Sequence, residues 1–113
     1  MIKNSIVLVP FPFGDLSANK VRPALCLTSI VGDYEELVIA FITSKVHKKS
    51  LTSDIIIQKE SQDWIGTGLS VDSIIRLHKV VTISKSIIKR KLGKININTE
   101  IMIKRKLLDL FLL

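Results

Sequence analysis

The run Ile6-Val7-Leu8-Val9-Pro10 has the signature of a β-strand. Its four apolar side chains follow one another without polar alternation, and a run this short, closed by proline, is too brief for a core helix. Pro10 and Pro12 cannot donate to a ladder, so a first strand spanning Ile2 to Phe11 stops there. Outward from it, Gly14 to Lys20 is rich in turn formers and reads as a loop. Arg22-Pro23 opens a second strand that runs to about Val31, and Gly32-Asp33 makes a turn. Leu37 to Thr43 is a third strand, again apolar on both faces at its centre. Ser44 to Ser53 lacks any apolar period and is a loop. Asp54 to Gln58 is a fourth strand, Gln62 to Gly68 a loop holding the single tryptophan, and Ser73 to Ile83 and Ile87 to Leu92 complete the strand pattern.

The tail changes period. Ile97, Ile101, Leu108 and Phe111 fall on one helical face, with Ile103, Leu107 and Leu110 widening it. Asn96 or Asn98 supplies a side-chain oxygen for an unpaired first-turn amide. Lys104 falls inside the stripe and has to extend outward. The chain is 113 residues long, 47% apolar and only 5% aromatic, so its core is built from Ile, Leu and Val. Such β-branched side chains suit a pleated sheet. The expected fold is a single domain over residues 1–113, mainly β with a C-terminal helix, in which short strands form a small barrel or strongly bent sheet under the helix.

Charge is unevenly spread. The net formal charge is +7, yet residues 1–75 carry seven Lys/Arg against eight Asp/Glu, while residues 76–113 carry ten against two. A basic half on an otherwise balanced domain points to a polyanionic partner, nucleic acid first. The single cysteine, Cys26, lies in the apolar run Ala24 to Leu27 and reads as a small buried hydrophobe. No signal peptide and no apolar run near the roughly 20 residues needed to span a bilayer are visible, so no membrane association is expected and a cytoplasmic location is.

Familiar catalytic spellings are missing. There is no paired-carboxylate motif and no glycine-rich phosphate loop, and His47 and His78 are too few for a zinc site. No metal or cofactor is therefore expected, and the chemistry has to come from cations and hydroxyls at strand ends. Arg22 begins one strand and Thr43-Ser44 ends the next. If those strands are antiparallel neighbours, the three residues meet at one rim. A guanidinium grips phosphate bidentately and a hydroxyl donates to a non-bridging oxygen. An exposed arginine and a strand-end threonine are also ordinary surface features, and residue chemistry alone favours that ordinary reading.

Several ordered motifs resemble one family. Ile6-Val7-Leu8-Val9-Pro10-Phe11-Pro12-Phe13-Gly14-Asp15-Leu16-Ser17, followed by Arg22-Pro23-Ala24-Leu25, is similar to the opening of PemK/MazF-like toxins. Ile42-Thr43-Ser44-Lys45 resembles their second motif. Ser73-Ile74-Ile75-Arg76-Leu77-His78-Lys79, Thr82-Ile83 and Lys91-Leu92-Gly93-Lys94 resemble later segments in the same order. The resemblance implies an SH3-like barrel with a C-terminal helix, assembled as a homodimer. It also implies metal-independent cleavage of single-stranded RNA (mRNA) at short sequences, leaving 2′,3′-cyclic phosphate and 5′-hydroxyl ends. Its partners would be an acidic cognate antitoxin and, through that antitoxin, operator DNA.

By position, the resemblance makes Arg22 and Thr43 the central catalytic pair, with Ser44 assisting at the same phosphate. His78 falls where relatives carry an acid or a histidine, and imidazole is the best proton shuttle this chain offers. Phe13, Lys20, Lys45 and Arg76 are the RNA-binding candidates. Two departures are visible: Lys3-Asn4 replaces a Gly-Asp pair, and Ala18-Asn19-Lys20-Val21 lacks the usual residues before Arg22-Pro23. Both bear on sequence preference and rate. The alternative is a non-catalytic nucleic-acid-binding barrel acting as a co-repressor. Lys89, Arg90 and Lys91 alternate between faces of a strand and cannot all line one groove.

Overall fold

In the computed structural model, which describes residues 2–10, 20–44 and 50–112, six antiparallel strands form one curled sheet. The strands are β1 (Ser5–Pro10), β2 (Val21–Cys26), β3 (Glu36–Thr43), β4 (Asp54–Ile57), β5 (Ser73–Ser84) and β6 (Arg90–Lys94), and the helix is α1 (Ile97–Leu112). Their order across the sheet is β4-β5-β3-β2-β1-β6. The described strands thus make an open, half-barrel arrangement carrying one helix.

The unbroken apolar runs are explained by burial on both faces. Ile6, Leu25, Ala40, Ile42, Ile75 and Leu77 enter one core, which Ile103 of the helix helps to close. Val7, Val9, Ala24, Cys26, Leu37, Ile39 and Ile83 enter a second core on the opposite face. Successive residues of β1 and β2 therefore alternate between two apolar environments rather than between core and water. Cys26 is fully buried, and burial pushes its thiol up to about 11.

Two strand boundaries differ most from the expectation, and one strand carries a bulge. β2 ends at Cys26 rather than near Val31, because the Thr28 hydroxyl accepts the Val38 N–H at 3.1 Å where a ladder carbonyl would stand. The last strand begins at Arg90 rather than Ile87. Ser84 turns the chain first, its hydroxyl accepting from the Ser86 N–H at the head of a 3₁₀ turn, Lys85–Ile87. Finally, Ala40 faces Val80 but Phe41 faces Arg76, so Leu77, His78 and Lys79 have no partners on β3. This bulge bends β5 between the two halves of its length.

Two glycines bring the loop before β5 against β6. A side chain on Gly93 would stand 2.2 Å from the Gly66 carbonyl oxygen, and one on Gly68 would stand 2.2 Å from that of Leu92. The Lys94 N–H donates to the Gly66 carbonyl at 2.9 Å across the same approach. Trp64 belongs to this loop and, partly buried, packs against the first core.

In α1, Asn96 is the cap: its Oδ1 accepts the Thr99 N–H at 2.8 Å. The helix docks by a narrower seam than its sequence suggests. Thr99 and Ile103 are buried and Leu107 packs beside them, whereas Ile97, Ile101, Leu108 and Phe111 are 68%, 51%, 57% and 63% exposed. The stripe expected to face the sheet is turned to solvent, because two of the residues that widen it, Ile103 and Leu107, are the ones that reach the core, while Leu110 is exposed. Lys104 extends outward as expected and pairs with Glu100 at 3.8 Å. No described helix is long and apolar enough to cross a membrane.

Candidate functional site

Strand register places the predicted residues. β1 holds Arg22 opposite Val9, and β2 pairs with β3 through Ala24–Phe41, Leu25–Ala40 and Cys26–Ile39. Carried two residues further, that register sets Arg22 across from Thr43. Thr43 in turn faces Ile74 of β5, and one row inward Phe41 faces Arg76, which faces Asp54 of β4. Directly opposed residues of a sheet share a face. Arg22, Thr43, Arg76 and Asp54 therefore occupy one face at one end of the sheet, in two adjacent rows.

Arg76 is held within that group. Its Nε lies 2.9 Å from Asp54 Oδ1, and the two side chains are 19% and 1% exposed. The contact is an ion pair rather than an aligned hydrogen bond, since the N–H does not point along it. Asp54 Oδ2 accepts the Leu51 N–H at 2.8 Å, which anchors the carboxylate from its other side. A buried carboxylate fixed in this way orients the guanidinium. Asp54 was not among the sequence candidates; its position at the head of an apolar strand was the only available signal.

Beside this group opens a cleft of about 380 Å³ whose polar lining includes Arg22, Ser44, Ser70 and Arg90. Buried Ile42 and Leu69 and half-buried Leu92 give it an apolar floor. Among the described residues no acid lines it, and neither Arg22 nor Arg90 has an ion-pair partner. Thr43 does not line the cleft, because strand alternation turns it to the opposite face from Ile42. Arg22, at the exposed start of β2, borders both groupings. Ser44 thus shares the cleft with Arg22, while Thr43 lies on the other face of the same strand end.

The remaining candidates are less concentrated. His78 is exposed on the β5 bulge, four residues from the Ile74 that faces Thr43, or about 13 Å along an extended strand. The structure does not bring it to the Arg22–Thr43 row. Lys20 is exposed just ahead of β2. Phe13 and Lys45 lie outside the described residues, as does His47. Arg90 was read only as part of a basic run, but the alternation expected of Lys89, Arg90 and Lys91 is present. Arg90 lines the cleft, while Lys91 lines a groove on the other face with Ile2, Ser5 and Val7.

This architecture is shared with known toxins. MazF-mt6 of Mycobacterium tuberculosis superposes with a TM-score of 0.72 at 21% identity, covering 96% of this chain and 97% of that one. An endoribonuclease solved in complex with its cognate antitoxin, from a mycobacterial species, gives 0.66 at 12% identity over 96% and 92%. A further M. tuberculosis toxin gives 0.67 at 20% identity over 94% and 99%. No curated protein sequence matches the chain. At these identities the structures establish the fold, and the sequence model of the family, described as the PemK-like, MazF-like toxin of type II toxin–antitoxin systems, matches residues 3–111. The chain belongs to that toxin family.

Proposed function

We propose that this protein is a metal-independent endoribonuclease that cleaves single-stranded RNA at the end of the sheet where Arg22 meets Thr43. The observation that carries this reading is the antiparallel β2–β3 register, which extended by two residues sets Arg22 across from Thr43, beside a cleft lined by Arg22 and Arg90 with no acid among its described lining residues. Arg22 grips the non-bridging oxygens of the scissile phosphate, and a Thr43 or Ser44 hydroxyl donates to the same group. The ribose 2′-hydroxyl attacks phosphorus, forming the O2′–P bond as the P–O5′ bond breaks. The 2′-hydroxyl proton is released, the 5′-oxygen leaves with a proton, and the products are a 2′,3′-cyclic phosphate and a 5′-hydroxyl. Arginine stays protonated throughout, so its contribution is charge stabilisation in the transition state.

Around that centre, Arg76 on its Asp54 anchor, Lys20 and the segment holding Phe13 and Lys45 bind the flanking strand. His78 acts further along β5, where it contacts RNA or relays a proton through water. His78→Ala is therefore expected to slow cleavage less than Arg22→Ala. The toxin works as a cytoplasmic homodimer held in check by an acidic antitoxin, through which it reaches operator DNA. The exposed apolar stripe of α1 and the +8 balance of residues 76–113 support such partners.

The test is incubation of a long single-stranded RNA in EDTA, followed by mapping of the ends. Discrete cuts with cyclic phosphate and 5′-hydroxyl termini are expected. RNA bound but left intact would favour a non-catalytic nucleic-acid-binding barrel acting as a co-repressor instead.

A further inference from the structure

The cleft holds a second cation that the proposed cleavage chemistry does not use. Arg90 of β6 stands opposite Leu8 of β1, which stands opposite Pro23 of β2, so the three form one row across the sheet. Two strand spacings separate Arg90 from Pro23, about 10 Å at the backbone, and Arg22 is next in the chain. Both arginines line the same cleft. Arginine side chains are long enough to reach neighbouring phosphates of one strand from these two positions.

We infer that Arg90 binds an RNA phosphate adjacent to the scissile one, fixing the strand across the cleft while Arg22 acts at the cut. The inference rests on the proposed RNA cleavage and adds a ground-state binding residue to it. Three features of the cleft support it. Among the described residues the charge is uncompensated: Asp72, next to the lining residues Val71 and Ser73, accepts the Lys59 N–H at 2.7 Å and does not line the cleft. The wall itself is fixed, because Gly68 packs against the β6 backbone next to Arg90. Ile42, Leu69 and Leu92 give the same cleft an apolar surface on which a base or sugar can rest. Arg90 is exposed on its strand, and β6 bonds to β1 through its backbone. The side chain can therefore be removed without opening the core.

The measurement is RNA binding and single-turnover cleavage by wild type, Arg90→Ala, Arg90→Lys and Lys91→Ala. The oligonucleotides carry one neutral methylphosphonate at each position around the mapped cut. Arg90→Ala is expected to weaken binding about 10-fold, the scale of one charge-assisted contact. It should also flatten the dependence of log Kd on log salt by about 0.7. Cleavage at saturating RNA should stay within about 3-fold, Arg90→Lys should recover part of the affinity, and Lys91→Ala, on the other face, should match wild type. The decisive result is coupling: one methylphosphonate beside the cut weakens wild type but not Arg90→Ala. Unchanged affinity in Arg90→Ala, loss in Lys91→Ala equal to that in Arg90→Ala, or no position that couples overturns the inference. Should wild type bind RNA without cutting it, the methylphosphonate scan is run on binding alone. Coupling to Arg90 then sustains the phosphate contact while the cleavage reading fails.

Discussion

Thr43 and Ser44 stand on opposite sides of the same strand end, and Arg22 borders both, so single substitutions separate their roles. Thr43→Val removes one donor and keeps the β-branched shape that the strand wants. If that hydroxyl faces the developing charge, the rate should fall about 10²–10³-fold with RNA affinity nearly unchanged. Normal cleavage by Thr43→Val together with a comparable loss in Ser44→Ala would move the role to the cleft side. Cys26 gives a second prediction at this scale. Its thiol is buried, and burial raises it to about 11 from 9.0. The folded state therefore holds that proton more tightly than the unfolded chain does. Its contribution to stability is intact below pH 9 and is lost as pH rises towards 11. Urea titrations at pH 8 and pH 10.5 should show a larger loss for wild type than for Cys26→Ala, and a native thiol that reacts rapidly at pH 8 would contradict the assignment. At this scale the Arg22–Thr43 pairing was legible in the sequence, because each residue sits where an apolar run begins or ends. Asp54 and Arg90 were not. A register and a bulge decide which carboxylate meets Arg76 and which member of a basic run reaches a cleft, and neither is written in local pattern.

Strands were read from apolar runs, and most of them survive because both sheet faces are buried. Where the expectation moved, a hydroxyl had replaced a backbone partner, as at Thr28 and Ser84. The helix is more instructive. Its hydrophobic stripe was visible, but its orientation was not, since a periodic pattern too wide for one contact does not say which edge docks. The observed seam makes Ile103 the anchor. Ile103→Ala should cost about 2–5 kcal/mol, the usual range for a large buried aliphatic, measured as a loss in denaturant midpoint. Gly93→Ala should be damaging for a different reason. Its new methyl would meet backbone at Gly66 and Thr67, which cannot turn aside as a side chain can. The expected outcome is a lowered Tm together with weakened RNA binding, because the same approach supports the cleft wall. A Gly93→Ala protein with wild-type Tm would show that this close approach is not kept in solution.

For the whole molecule, the two properties with functional weight are the basic C-terminal third and the apolar stripe left exposed on α1. A contiguous apolar face of this kind marks a surface for another chain. A two-fold dimer is expected, and light scattering at micromolar concentration checks it; a monomer throughout would remove the assembly proposed here. The fold and family were legible at this scale because ordered motifs run almost the length of the chain. Substrate preference was not, since the sequence around Phe13 and Lys45 has no apolar period that assigns those side chains a place. The central claim is that Arg22 stabilises charge at a phosphodiester being cleaved. Its most direct test is single-turnover cleavage of a single-stranded RNA by Arg22→Ala, with circular dichroism and RNA affinity measured on the same preparation. The account predicts a folded protein that still binds RNA and cuts it at least about 10²-fold more slowly than wild type. A folded Arg22→Ala protein that cleaves at the wild-type rate would contradict it.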